Sequence, residues 1–183
     1  AEPLGEFSLE HINYFSRSSL RNLFATGGCV EVCCQRVKHS SGGSLLALYR
    51  KEGTPHSGTQ VNDTELMREY VIRSTERMQS LLHKVAGKLH APFLIYGAGS
   101  HTARILPMLS AGFRQVSIHA VIDNNPNLAG KQLGGIPIVS AAKLGDYPGR
   151  DILISSFRYE TEIKNYLANE ERERAVLTIY ADE

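Results

Sequence analysis

Residues 92–103, PFLIYGAGSHTA, decide the fold of the second half of the chain. Four apolar residues, Phe93 to Tyr96, form a run that is too short for a helix and is bounded by Pro92 and Gly97, as in a buried strand of a parallel sheet. A helical pattern follows at once. The stretch therefore predicts a strand, a tight glycine turn and a helix in direct succession.

Gly97 and Gly99 occupy the turn between this strand and this helix. Glycine lets the backbone turn sharply and approach a ligand closely, and the N–H groups that begin a helix favour an anion. The match to the dinucleotide fingerprint GxGxxG is partial, because Thr102 stands at the third glycine position. A second predicted strand, Val116 to Ile122, ends in Asp123, where a carboxylate could reach a ribose hydroxyl. The alternative is structural: the glycines only close a turn, and Asp123 begins the next one.

Composition restricts the classes of partner. The chain has 183 residues, of which 42% are hydrophobic, enough for one domain with an appended part. Its 20 basic and 19 acidic residues leave a net charge of +1 without a basic run, so we expect no nucleic-acid partner. No stretch reaches the roughly 18 apolar residues that span a membrane. Because no signal peptide opens the chain either, we expect a cytoplasmic protein with no membrane partner.

Cysteines and histidines give no indication of a metal site. Cys29, Cys33 and Cys34 lie in one strand-like segment without the paired spacing of zinc ligands, and we interpret them as small buried residues. The histidines likewise lack metal-ligand spacing, and we interpret His119, inside a predicted strand, as a core residue.

The first 90 residues divide into three segments. Residues 1–52 contain a predicted helix, 17–26, capped by Ser16, and two predicted strands, 29–37 and 45–50. Since an isolated hairpin is marginal in water, these elements need a further sheet to join. Residues 53–61 form a polar loop, and 62–90 a long helix whose apolar stripe could connect two domains or pair with a second copy.

Residues 91–183 alternate strands with helices. The predicted strands are 93–96, 116–122, 136–139, 151–155 and 175–180, with 128–135 as a connecting loop. This order predicts an α/β, Rossmann-like, doubly wound and mainly parallel five-stranded sheet. The long helix and the N-terminal helix plus β-hairpin precede it.

Two runs in the first segment carry a family resemblance. SLEHINYFSRSSLRNLFATGGCVEVCCQ (8–35) and SLLALYRK (44–51) resemble the last helix and last two strands of class I S-adenosylmethionine (SAM)-dependent methyltransferases. The pattern of Glu10, His11, Tyr14, Phe15 and Ser16 is similar, more narrowly, to the three-domain sugar C-methyltransferases that act on nucleotide-linked keto sugars. Residues 95–163 continue this resemblance, since YGAG, VIDNNP, GGIPI and SSFRYETEI follow in the order of that family's second Rossmann-like domain.

The resemblance implies specific roles. It places Glu10, His11 and Tyr14 at a catalytic site, with His11 as the base that removes the proton next to the ketone. A histidine oriented by a neighbouring carboxylate suits this role, because it titrates near neutrality. The family's SAM-binding loop precedes the region matched here, so SAM is implied for the full-length family and no cofactor is expected in this chain. Alone, the chain is expected neither to bind SAM nor to methylate.

Candidate binding residues lie on three loops. In a doubly wound sheet ligands bind beyond the carboxyl ends of the strands, where the strand order reverses. The loops 97–101, 123–125 and 155–159 meet there. Their candidate substrate-binding residues are Gly97, Gly99, Ser100, His101, Asp123, Asn124, Ser156, Arg158 and Tyr159. His101, in the first helical turn, is expected to be neutral because the helix dipole disfavours its charged form.

Three functions are compatible with these patterns. The interpretation we favour is the nucleotide diphosphate sugar-binding region of a SAM-dependent sugar C-methyltransferase, acting as a homo-oligomer or with a missing N-terminal methyltransferase part. An alternative is an oxidoreductase-type domain that binds NAD through Gly97, Gly99 and Asp123. The third is an assembly module with a dimerising helix and a vestigial loop.

Overall fold

The computed structural model describes residues 14–39, 42–55, 62–112, 117–170 and 174–180. The candidate catalytic residues Glu10 and His11 lie outside these ranges. The chain forms two compact units, Ala1–Thr75 and Glu76–Glu183. Their boundary falls within the long helix α2 (Thr64–Ala86), which the sequence suggested as a segment of its own. None of the described helices is long and apolar enough to cross a membrane.

Besides the N-terminal part of α2, the first unit contains a helix and a hairpin. Helix α1 (Arg17–Thr26) begins after Ser16, whose hydroxyl accepts from the Ser19 N–H at 3.0 Å, as predicted for a helix cap. Strands β1 (Cys29–His39) and β2 (Gly42–Lys51) pair in an antiparallel, two-stranded sheet. All three elements agree with the pattern of apolar and turn residues.

Helix α1 is held on one face of this hairpin. Arg17 and Arg21 both donate to the Glu31 carboxylate, with nearest N–O distances of 2.6 and 3.2 Å. Hydrogen bonds from Arg17 and then Arg21 lower the pKa of Glu31 to about 2. Farther along, the ring of Phe24 stacks on Tyr49 at 4.0 Å. Ionic and aromatic contacts therefore fix which face of the hairpin the helix covers.

The opposite face of the hairpin carries exposed apolar side chains beside Gln35 and Arg50. Because neighbouring residues of a strand point to opposite faces, Val30, Leu46 and Leu48 lie away from the Glu31 and Tyr49 side. Leu46 and Leu48 are 61% and 57% exposed. The interpretation of the cysteines as buried was wrong: Cys33 is exposed, and Cys29 and Cys34 are half-buried.

The second unit is built on a six-stranded sheet. Its strands are β3 (Phe93–Tyr96), β4 (Ile118–Asp123), β5 (Gln132–Leu133), β6 (Ile136–Ser140), β7 (Ile152–Ile154) and β8 (Val176–Thr178). The order across the sheet is β5-β6-β4-β3-β7-β8, and all neighbours except β5 and β6 are parallel. Counting only parallel strands, this is the 3-2-1-4-5 order of a Rossmann-type fold.

Helices cover both faces of the sheet. Helix α3 (Ser100–Gly112) and the C-terminal half of α2 pack on the face that carries Phe93, Ile95 and Leu153. A 3-10 helix (Ala141–Asp146) and helix α4 (Glu160–Glu170) cover the face that carries Leu94, Tyr96 and Ile154. The central strand β3 is almost wholly buried on both sides, as its continuous apolar run predicted.

Two details differ from expectation. The sixth strand, β5, consists of two residues within the predicted 128–135 loop, too short to leave a periodic pattern. The interpretation of His119 as a core residue was wrong, because its side chain is exposed; its ring lies at 72° to the Tyr147 ring, with the two centroids 5.1 Å apart.

At the amino edge of the sheet, Asp151 connects separate parts of the unit. Its carboxylate accepts from the His90 N–H and Nδ1 at 2.8 Å each and from the Ala175 N–H at 3.1 Å. Burial raises the pKa of Asp151, but these hydrogen bonds outweigh burial and lower it overall. A charged Asp151 therefore anchors this edge, away from the loops of interest.

The exposed face of the hairpin leads to a prediction about association. We expect light scattering to give a mass larger than that of a monomer. Burying Val30, Leu46 and Leu48 under a partner would favour association by about 25 cal/mol per Å² of buried apolar area. Leu48→Lys should shift the chain toward monomer. The control Ile72→Lys changes a 49% exposed residue of α2 and should leave the mass unchanged. A monomeric wild-type chain with the hairpin solvated would contradict this expectation.

Candidate functional site

The candidate site lies at the carboxyl ends of β3, β4 and β7. The strand order reverses between β3 and β7, which is where Rossmann-type sheets open a crevice. The turn at residues 97–99 follows β3, Asp123 ends β4, and Ser155 follows β7. The structure thus brings together the three loops that the sequence predicted at this edge.

Gly97 lies close to the backbone of β4 and of the segment after β7. Its N–H donates to the Ile122 carbonyl at 2.7 Å, and its φ of +109° belongs to a region that side chains disfavour. A Cβ at this position would lie 2.9 Å from the carbonyl oxygen of Ser155. A glycine is therefore required by conformation and by space.

Gly99 and Ser100 face open space at the start of α3. A Cβ on Gly99 would meet no protein atom within 4 Å, and Ser100 is exposed. The first N–H groups of a helix have no partner within the helix. This end of α3 can therefore receive an anion without displacing a side chain of the described residues.

Asp123 joins two of the loops. Its Oδ2 accepts from the Ala98 N–H at 2.6 Å, and its Oδ1 accepts from the Asn125 N–H at 2.7 Å. The carboxylate therefore begins a turn, as the structural alternative held, and also braces the glycine turn. Each carboxylate oxygen can accept a further hydrogen bond, so Asp123 can also accept one from a ribose hydroxyl.

His101 turns away from the open side. Only 7% of the residue is exposed; its Nδ1 lies 2.8 Å from Ser155 Oγ and its Nε2 lies 2.6 Å from the Tyr180 hydroxyl. Burial, with a smaller contribution from the charge of Arg104, lowers the pKa of His101 to about 4. The ring is neutral, as predicted, but burial is the main cause. Protein groups occupy both nitrogens, so His101 supports the turn.

Thr102 explains the departure from the glycine fingerprint. Its side chain is fully buried, and its hydroxyl contacts the Gly97 carbonyl and lies 2.7 Å from Ser155 Oγ. Where a third glycine would let helix and strand pack closely, this hydroxyl instead connects them. In the sequence alone, Thr102 is only a mismatch to the glycine fingerprint.

The loop after β7 presents polar and aromatic groups. Ser156 Oγ accepts from the Tyr159 N–H at 3.1 Å and thereby shapes the loop. Arg158 and Tyr159 are exposed, and so is Asn124 on the neighbouring loop. These side chains are accessible to a ligand larger than a phosphate.

Three residues of the site were missed from sequence. None of them was chosen as a candidate: Ser155 was only the start of the 155–159 loop, Glu160 lay within the SSFRYETEI motif, and Tyr180 ended the last predicted strand. Glu160 is buried, and its carboxylate accepts from the N–H groups of Ile179 and Tyr180, the latter at 3.0 Å. A polar residue directly after a fully apolar strand was the available signal for Ser155.

Of the three candidate catalytic residues, Tyr14 is the one that lies within the described ranges, and it belongs to the first unit. It lines a cavity of about 880 Å³ in that unit. The cavity combines apolar and charged side chains, among them Phe15, Leu45, Tyr70, Arg36 and Asp63. Among the described residues no three His, Cys, Asp or Glu side chains are grouped to hold a metal ion.

Comparisons with known proteins cover part of the chain. Residues 90–176 match the family model described as C2185-like, N-terminal. No curated protein matches the chain. One similar solved structure is UDP-D-quinovosamine 4-dehydrogenase from Vibrio fischeri, with 26% identity and a TM-score of 0.40 over 47% of this chain and 75% of that one.

A Rex-family repressor, RSP, is also similar to the chain. The identity is 12% and the TM-score 0.40, over 62% of this chain and 68% of that one. The complex of RSP with beta-NADH gives a TM-score of 0.38 at the same identity and coverage. The Rossmann-type fold assigned here rests on the strand order itself.

Gly97 and Gly99 give contrasting predictions for stability. Gly97→Ala should destabilise the chain by roughly 2 kcal/mol, because the new Cβ combines a strained φ with a contact at 2.9 Å. Gly99→Ala is the matched control, two residues away with open space, and should change stability by less than about 1 kcal/mol. Urea denaturation measures both. Equal effects of the two changes would contradict the assigned turn geometry.

The low pKa of His101 predicts acid sensitivity. Between its ordinary value of 6.5 and the native value of about 4, the unfolded chain binds a proton that the folded chain excludes. Stability should therefore fall as the pH drops through this window, by roughly 3 kcal/mol in total. Unfolding free energies from pH 7 to pH 4 should show a flatter curve for His101→Asn. The control His119→Asn, at an exposed position, should show the same dependence of unfolding free energy on pH as the wild type.

Proposed function

We propose that residues 76–183 bind a nucleotide diphosphate sugar, and that the chain serves as the C-terminal region of a SAM-dependent sugar C-methyltransferase. The observation that carries the binding proposal is the convergence of a glycine turn, an open helix start and a carboxylate. Ala98 N–H and Asp123 Oδ2 lie 2.6 Å apart, so a ligand at the turn is also beside Asp123.

Each part of such a ligand has a suitable contact. Its pyrophosphate would lie against the first turn of α3, where Gly99 leaves the backbone accessible. Its ribose would lie toward Asp123, which retains acceptor capacity on both oxygens. Its sugar would extend toward the 155–159 loop, where Arg158 and Tyr159 are exposed.

The sugar and the methyltransferase context are supported by sequence motifs. The order YGAG, VIDNNP, GGIPI and SSFRYETEI resembles the second Rossmann-like domain of the sugar C-methyltransferases. NAD has the same pyrophosphate and ribose arrangement, so it is the competing ligand at this site. The two kinds of ligand differ in the base and in the half that extends beyond the pyrophosphate.

Thermal shifts of the full chain distinguish these ligands. We expect uridine or deoxythymidine diphosphate sugars to stabilise the chain by about 2.7 kcal/mol at a hundredfold excess over the dissociation constant. NAD should have no comparable effect. A larger stabilisation by NAD would instead support the oxidoreductase-type alternative, and no stabilisation by any nucleotide would contradict nucleotide binding.

Two valine variants localise the binding. Gly99→Val should abolish the shift, because a side chain would occupy the approach to the phosphate. Gly112→Val changes the other end of the same helix, where a Cβ also meets nothing within 4 Å, and should retain the shift. Equal ligand shifts in the two variants would place the ligand elsewhere.

A further inference from the structure

We propose that His101 and Tyr180 are positioning residues that fix the Gly97 carbonyl, and with it the phosphate-receiving turn, through one directed chain of hydrogen bonds. The chain runs from Tyr180 through His101, Ser155 and Thr102 to Gly97. The inference rests on the proposed function only for the nature of the ligand.

The direction of every hydrogen bond follows from counting protons. A carbonyl oxygen only accepts, so the single hydroxyl proton of Thr102 belongs to its contact with the Gly97 carbonyl. Thr102 then has no second proton for Ser155 Oγ, 2.7 Å away, so we assign the proton of this contact to Ser155. With its proton committed, Ser155 Oγ must accept from His101 Nδ1, 2.8 Å away. Neutral His101 carries one proton, so Nε2 accepts from the Tyr180 hydroxyl at 2.6 Å.

This count assigns the protonation of the ring. His101 is the Nδ1–H tautomer, with an unprotonated Nε2. Each of the four protons then has one acceptor along the chain, and a buried polar group left without a partner is costly, so the assignment is consistent. The chain ends at a carbonyl, which has no proton to release. His101 therefore positions the turn and does not transfer protons to a ligand.

Tyr180 is itself held in place at the far end. The carboxylate of Glu160 accepts from the Tyr180 N–H at 3.0 Å, and the Phe157 ring meets the Tyr180 ring edge-on at 4.9 Å. Tyr180 lies after residue 176, where the matched family model ends. The segment following β8 thus takes part in the site.

Nitrogen-15 NMR of the histidine rings tests the assignment without a ligand. We expect the full chain to show His101 protonated at Nδ1 and unprotonated at Nε2 at pH 7. Tyr180→Phe removes only the hydroxyl donor, and should shift the amide resonances of residues 97–99. The matched control is Tyr147→Phe, a half-buried tyrosine that also meets a histidine ring edge-on. An Nε2–H tautomer, or unmoved 97–99 resonances in Tyr180→Phe, would overturn the proposal.

Ligand affinity tests the consequence. Tyr180→Phe should weaken uridine diphosphate glucose about fivefold to tenfold, the worth of one hydrogen bond, while Tyr147→Phe should not. His101→Asn keeps a donor toward Ser155 and should bind within about threefold of wild type, while His101→Leu should lose at least tenfold. Equal affinities of the Asn and Leu variants would overturn the positioning role. If the wild-type chain does not bind uridine diphosphate glucose, the proposed function is refuted. The NMR experiment would then still decide whether His101 and Tyr180 position the turn.

Discussion

The close approach of Gly97 to the Ser155 carbonyl is the constraint on which the site depends. It occurs between β3 and β7, the two parallel strands where the strand order reverses. Because Gly97 has no Cβ, the two strand ends can come together. Ser155 Oγ then reaches Thr102 and His101 on the first turn of α3. The position of the helix start thus follows from one glycine without a Cβ.

The polar groups beneath the glycine turn and the carboxylate at its rim act differently. Beneath it, the Thr102 hydroxyl and the neutral His101 ring both contact Ser155 Oγ, and Thr102 also contacts the Gly97 carbonyl. These groups are uncharged, so they place no net charge beneath the crevice. At its rim, Asp123 braces the Ala98 N–H but keeps lone pairs free. A site of this kind can bind a phosphate by backbone geometry and a hydroxyl by one carboxylate, without a described acid or base beneath the ligand.

The sequence predicted what depends on local pattern. Buried parallel strands are continuous apolar runs, so β3 and β7 were evident, and glycines mark the turn after β3. The pairing of His101 with Ser155 and Tyr180 spans 54 and 79 residues, and no local pattern encodes contacts at such separations. The cysteines were misjudged for a related reason: a strand's pattern indicates which residues could be buried, but the covering element decides whether they are.

The two units differ in how completely they bury their own apolar surface. In the second, helices cover both faces of the sheet, and Leu94, Ile95 and Leu153 are fully buried. In the first, α1 covers one face of a two-stranded sheet, and Leu46 and Leu48 stay exposed. A ligand site on the second unit therefore has its structural support within that unit. Tyr14 belongs instead to the first unit, where the hairpin leaves Leu46 and Leu48 exposed, so the proposal of nucleotide binding depends only on residues of the second unit.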